Sequence, residues 1–326
     1  MLEGSTTELR WFDAGGRHVR TSRLQGRGPG ELPFVLDLVH LAGDTILLDG
    51  GRPVKQLFFA PTGEFAREEP LDDVGFRALG RWAECHTYVM PDRSRVVCQR
   101  PPGAAPRGPD PGPGLLRFFS QFVRVSWDLS QVDTMGLDGG IEQYGLDVGG
   151  SRPYFVVHPF HARSYLAGGG DPLRIAIVTN PQYSIEIWRP GAGLERIIRR
   201  VNGRVAPSQS QLDAVPEYLR RYSFDTTHLA RVLSDVPVPD SLPAAAGLFY
   251  APGGELLVAR ESPFFPHDTT HLDVFDAEGR FLGTLSLPPR LLVHEVGIDY
   301  ILGVRYDDDD VPFVEVYRLE RPQGST

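Results

Sequence analysis

The feature that most restricts how this chain can fold is a strand–turn–strand unit that keeps returning. An alternating strand runs into an aromatic residue, a short turn with glycine follows, and a second strand leaves it. The unit reads Glu8-Leu9-Arg10-Trp11-Phe12-Asp13-Ala14-Gly15-Gly16, followed by 17–24. It returns as Val54-Lys55-Gln56-Leu57-Phe58-Phe59-Ala60-Pro61-Thr62-Gly63, followed by 64–71. A third copy is Ser184-Ile185-Glu186-Ile187-Trp188-Arg189-Pro190-Gly191, followed by 194–201. The plainest is His271-Leu272-Asp273-Val274-Phe275-Asp276-Ala277-Glu278-Gly279, followed by 280–287. Weaker copies surround Trp127 and Tyr317, over 122–137 and 313–319. The runs are short and rich in β-branched and aromatic residues, as strands require.

Ahead of most copies lies another strand pair. Its second member is visible as Asp44-Thr45-Ile46-Leu47-Leu48-Asp49, Ser94-Arg95-Val96-Val97-Cys98, Arg174-Ile175-Ala176-Ile177-Val178, Glu255-Leu256-Leu257-Val258-Ala259 and Tyr300-Ile301-Leu302-Gly303-Val304. The first members fall at 34–41, 81–90, 154–166, 242–250 and 292–296. Each unit thus carries four strands in up-and-down order. A lone four-stranded meander leaves open edges; several placed around an axis leave only short, protected ones. The sequence therefore predicts an all-β fold, a six-bladed β-propeller with four-stranded antiparallel blades, formed by residues 1–326 as one domain. The C-terminal unit has three visible strands. Either the N-terminus lends it a fourth, or the first blade is incomplete.

Two segments interrupt the pattern. Residues 101–114 form a Pro/Gly-rich stretch between the second and third strands of one unit, expected to be exposed. Residues 207–243 hold a short capped helix around Ser208-Gln209-Ser210-Gln211 and Tyr218-Leu219-Arg220-Arg221-Tyr222. That excursion is expected on one face, as a lid over a channel mouth.

Charge narrows the partners. The net charge is -9 and acidic residues outnumber basic ones, 42 to 33, so phosphate backbones are repelled and nucleic acid is not an expected partner. Lys55 is the only lysine, for which a GC-rich coding bias is the plain cause. No apolar run reaches the roughly 20 residues of a transmembrane helix. The start, Met1-Leu2-Glu3-Gly4-Ser5, has neither a basic nor an apolar leader region. This fits a cytoplasmic protein or a chain whose export signal has been removed. Cys85 and Cys98 flank a turn at Pro91-Asp92-Arg93-Ser94. A cross-strand disulfide and two buried free thiols both remain open.

Gly26-Arg27-Gly28-Pro29-Gly30-Glu31 follows the first outer hairpin directly and precedes an inner strand. This G-x-G-P-G-E turn resembles that of NHL-like six-bladed β-propeller proteins of bacteria. The last strands, Val296 onward through Tyr300-Ile301-Leu302-Gly303-Val304 and Val314-Glu315-Val316-Tyr317, are similar to the final blade of such proteins. The resemblance spans nearly the whole chain. It implies the fold, and a periplasmic or extracellular location, but supplies no catalytic residues.

Candidate sites follow from the inner strands, which line a propeller's central channel. His40, His86, His158 and His294 lie on or beside them, with His161 close to His158. Histidines from successive blades could converge on a divalent metal, the only cofactor the sequence suggests. They could equally be channel-lining or hydrogen-bonded residues. Asp307-Asp308-Asp309-Asp310 could bind Ca²⁺ through oxygen ligands, but a solvated hairpin turn is the simpler expectation. His267 and His271 are four apart, and Gly168-Gly169-Gly170-Asp171 is followed by a strand rather than a helix, so it reads as a turn. The leading expectation is a monomeric binding module for a small molecule, a saccharide or a protein. The alternative is a metal-dependent propeller hydrolase or lyase working at the channel mouth.

Overall fold

The computed structural model describes residues 2–3, 7–13, 15–41, 43, 45–50, 55–70, 88–99, 114–117, 120–138, 141–149, 153–157, 159–179, 182–201, 205–222, 227–260, 269–307, 309 and 311–320. The chain divides into two compact units, Met1–Arg100 with Val123–Asp133, and Pro101–Phe122 with Thr134–Thr326.

The first unit opens with β1 (Leu2–Glu3), β2 (Glu8–Phe12) and β3 (His18–Arg23) as a three-stranded antiparallel sheet. A four-stranded meander follows, β4 (Val35–Leu41), β5 (Thr45–Gly50), β6 (Lys55–Phe59) and β7 (Phe65–Pro70), paired in chain order. Next come β8 (Tyr88–Val89), β9 (Arg95–Gln99), β11 (Ser120–Val125) and β12 (Val132–Asp138), again four strands in one sheet.

The two sheets most legible in the sequence are in the second unit. One is β15 (Ser164–Gly169), β16 (Arg174–Thr179), β17 (Ser184–Arg189) and β18 (Gly193–Arg199). The other is β19 (Gly247–Tyr250), β20 (Leu256–Ala259), β21 (Thr269–Phe275) and β22 (Phe281–Pro289). The last sheet has three strands, β23 (Leu291–Val296), β24 (Tyr300–Tyr306) and β25 (Pro312–Arg318). Among the described residues β25 pairs with β24 alone, and β1 to β3 pair with one another.

Burial explains why these strands read as they do. The second strand of each complete meander is a continuous apolar run because both of its faces are covered. Ile175, Ala176, Ile177 and Val178 are all buried in β16, as are Leu256, Leu257, Val258 and Ala259 in β20. Burial fades outward, and β3 and β7 are mostly exposed. The β2–β3 and β21–β22 hairpins share one device. Asp13 Oδ1 accepts the main-chain N–H groups of Gly15 and Arg17. Asp276 Oδ1 does the same for Glu278 and Arg280. Such Asx turns present the backbone with a ready-made partner.

One sheet departs from the sequence reading. β10 (Gly114–Arg117), β13 (Glu142–Leu146) and β14 (Tyr154–Val156) form a three-stranded antiparallel sheet in which β10 pairs with β13. The stretch expected to be loop up to residue 114 thus ends in a strand. Tyr154–Val156 belongs here and not to the inner strand that begins at Ser164.

The insertion holds two helices rather than one, α1 (Gln209–Tyr222) and α2 (Leu229–Asp235). Ser208 caps α1. Its Oγ accepts the Gln211 N–H at 3.2 Å, and Gln211 Oε1 accepts the Ser208 N–H at 2.9 Å, a reciprocal capping box. The apolar faces of the helices, Val215, Leu219 and Val232, pack with Leu146, Val156 and Phe160. The helices therefore cover the three-stranded sheet, which is what lets it bury an apolar face.

Candidate functional site

The G-x-G-P-G-E turn is a structural lock. The Gly28 N–H donates to Glu31 Oε2 at 2.8 Å. A side chain at Gly26 would put its Cβ 2.0 Å from that same oxygen, so the first glycine of the motif is required by the glutamate that ends it. Lys55 Nζ donates to the Gly28 carbonyl at 2.8 Å and to Glu68 Oε2 at 3.1 Å. Glu68 also accepts the Gly30 N–H. The motif thus holds the chain's one lysine in a closed network.

Of the five histidines singled out, His86 and His158 lie outside the described residues. His40 is exposed on β4 and His294 is exposed on β23. His161 is not on an inner strand. It lies between β14 and β15, buried, and its Nδ1–H donates to the Glu142 carbonyl at 3.2 Å. Burial pushes its pKa below the usual imidazole range against the opposing pull of Glu142. Among the described residues no three His, Cys, Asp or Glu side chains come together as a metal-binding group.

His271 is on β21, while His267 lies outside the described residues. In the aspartate run, Asp307 Oδ1 accepts the Asp309 and Val311 N–H groups, while Asp308 and Asp310 lie outside the described residues. Gly168 and Gly169 end β15. Cys98 is buried and disulfide-bonded, so it is not a free thiol; Cys85 lies outside the described residues.

Where charge does gather is around Asp273, in the middle of β21. The side chain is fully buried. Arg260 Nε reaches its Oδ1 at 2.9 Å and Thr284 Oγ1 donates to the same oxygen at 2.8 Å. Arg200 Nη1 lies 2.6 Å from Oδ2, and the Tyr183 hydroxyl donates to it at 3.0 Å. Burial alone would raise the pKa of Asp273. The hydrogen bonds from Arg260, Thr284 and Arg200 outweigh it and hold the carboxyl below its usual range. Burial and the neighbouring Asp273 charge push the Tyr183 phenol well above its ordinary value. The phenol therefore stays a donor at any physiological pH.

This hub anchors one wall of a cleft. The cleft has a volume of about 410 Å³ and is lined by Arg196, Ile197, Ile198, Arg199 and Arg200, facing Phe275, Gly279 and Phe281. Arg200 leaves Asp273 to stack 4.1 Å over the Phe281 ring. Arg196 Nη1 donates to the Ala277 carbonyl at 2.9 Å. At Gly279, where φ is +77°, an added Cβ would meet Arg196 Cδ at 3.0 Å and Ile198 Cδ1 at 3.1 Å. The turn between β21 and β22 is thus drawn tightly against β18. The cleft's charged lining is wholly cationic. Arg200 is matched by Asp273, and Arg196 lies 3.9 Å from Glu195. Arg199 is exposed and has no ion-pair partner among the described residues.

Sequence reasoning missed both hub and cleft. A signal for the hub was present: an aspartate between Leu272 and Val274, in a strand covered on both faces, must find partners. The cleft had none, because it arises from two sheets brought side by side.

The successive four-stranded up-and-down meanders make this an all-β protein of the β-propeller type. The sequence matches no family model and no curated protein. Among solved structures it is similar to a DUF4221-family member from Bacteroides vulgatus, at 11% identity and a TM-score of 0.46, covering 96% of this chain and 86% of that one. A luciferin-regenerating enzyme is similar at 11% identity and 0.42, covering 99% and 90%. A gluconolactonase from Xanthomonas campestris is similar at 15% identity and 0.38, covering 96% and 83%. In the described residues no helix is long and apolar enough to cross a membrane.

Proposed function

We propose that this protein is a ligand- or protein-binding β-propeller module. In this reading the chain is a single NHL-like domain of six blades. The observation that carries it is the cleft beside β18, a concave site with an apolar wall and an unmatched guanidinium at Arg199. Clefts of a few hundred Å³ with a few placed polar groups are the usual form of a binding site. An exported location belongs to the same reading. The disulfide at Cys98, formed in our proposal with Cys85, suits an oxidising compartment. The test is hydrogen exchange of the intact protein against a panel of small molecules, saccharides and peptides. The expected result is slowed exchange over 194–201 and 275–281 with at least one class. Slowed exchange confined to other segments, or none across the panel, overturns the reading.

A further inference from the structure

The cleft is lined by five consecutive residues, 196 to 200. Successive side chains of a strand point to opposite faces. A cavity that touches all five in a row therefore runs along the edge of the strand and meets its main chain. β18 is the last strand of its sheet, so alternate N–H and C=O groups along that edge lack a partner strand among the described residues. Unpaired edges of this kind accept an added strand.

The side chains on the same edge set what that strand must carry. Ile197 and Arg199 share one face of β18 by their spacing, and Val201 lies two residues past its end. Ile197 is 38% exposed, Arg199 is exposed, and Val201 has no cover at all. On β3 and β7 the edge arginines are already matched, Arg20 with Glu64, Arg23 with Glu8 and Arg67 with Glu69, whereas Arg318 on β25 is, like Arg199, exposed without an ion pair among the described residues. Arg199 carries an unanswered charge beside exposed Ile197, on the strand whose edge lines the cleft.

From this we infer that β18 binds an extended acidic peptide of a partner protein, which adds to the sheet as a further strand. Its central carboxylate lies opposite Arg199, and an apolar residue two positions away lies opposite Ile197. Main-chain bonds hold the peptide, and cross-strand pairs of this type select it. This inference rests on the binding-module reading and specifies the occupant of the same cleft.

The test uses a fluorescent heptapeptide with valine, glutamate and valine at alternate central positions. Three comparisons accompany it: a lysine-for-glutamate peptide, a peptide N-methylated on the bonding edge, and the variant Arg199→Glu. Arg199 is exposed and unpaired, so the variant should match the parent in thermal midpoint. The expected result is binding of the acidic peptide that falls at least about tenfold on N-methylation and about tenfold in Arg199→Glu, as loss of charge-assisted hydrogen bonds implies. The lysine peptide should gain in that variant. Equal binding of the N-methylated peptide overturns strand addition, and an unchanged affinity in Arg199→Glu overturns the acidic preference. If no peptide binds but a small molecule or saccharide slows exchange over 194–201, this inference fails and the binding-module reading stands. If nothing does, both fail.

Discussion

Asp273 has no contact with water, and four side chains hold its charge. Removing one partner of a buried ion pair leaves the other uncompensated, at a cost of about 3–5 kcal/mol. Asp273→Ala should therefore lose roughly that much stability in urea titrations. Asp49 in the first unit forms a comparable buried pair, with Arg95 Nη2 at 2.7 Å and Nη1 at 2.9 Å, and Asp49→Ala should cost a similar amount. The sign of the pH effect follows from the depressed carboxyl of Asp273. Its contribution is complete above the unfolded pKa, near ~3.9, and is lost as pH falls through the folded value. His161 adds a separate window. Its lowered pKa means the neutral, buried ring is favoured, so stability falls as pH drops below about 6.5. Thermal melts from pH 7 to pH 3 should show both losses, and His161→Gln should remove only the upper one.

At the scale of elements, the capping box at Ser208 makes a local prediction. Ser208→Ala removes the side-chain acceptor for the first turn of α1 and should cost about 1 kcal/mol. The loss should appear as faster exchange in α1 and in β13 and β14, which the helices cover. A uniform change across all sheets would contradict that packing. The strands also show what could be read beforehand. Sheets such as β19 to β22 were legible because their strands are consecutive, alternate with period two and meet at Gly or Asp turns. The sheet of β10, β13 and β14 was not. Its strands come from segments far apart in the chain, and β10 holds four residues, Gly114-Leu115-Leu116-Arg117, too few to set a period. The helices were legible from capping residues, but their role was not, because the sheet they cover had not been recognised. The histidines had been gathered by chain position alone. His161 shows the weakness of that argument, since a buried ring bonded to a carbonyl has the same spacing as an exposed one.

For the molecule as a whole, the disulfide at Cys98 bears on both location and stability. Cross-links of this kind contribute about 2–4 kcal/mol, chiefly by restricting the unfolded chain. Reduction should lower the thermal midpoint by several degrees, and protein made in a reducing cytosol should show the lower value. An unchanged midpoint after complete reduction would remove the argument for export. The G-x-G-P-G-E turn has a practical consequence of another kind. Because its lysine is the only one in 326 residues, a lysine-specific protease has a single peptide bond to cut, and that bond sits beside an amine tied to Gly28 and Glu68. Since Lys55 opens β6, between β5 and β7, cleavage there is a clock for that strand's release: two fragments, one rate, and a direct reading of how often the sheet lets go.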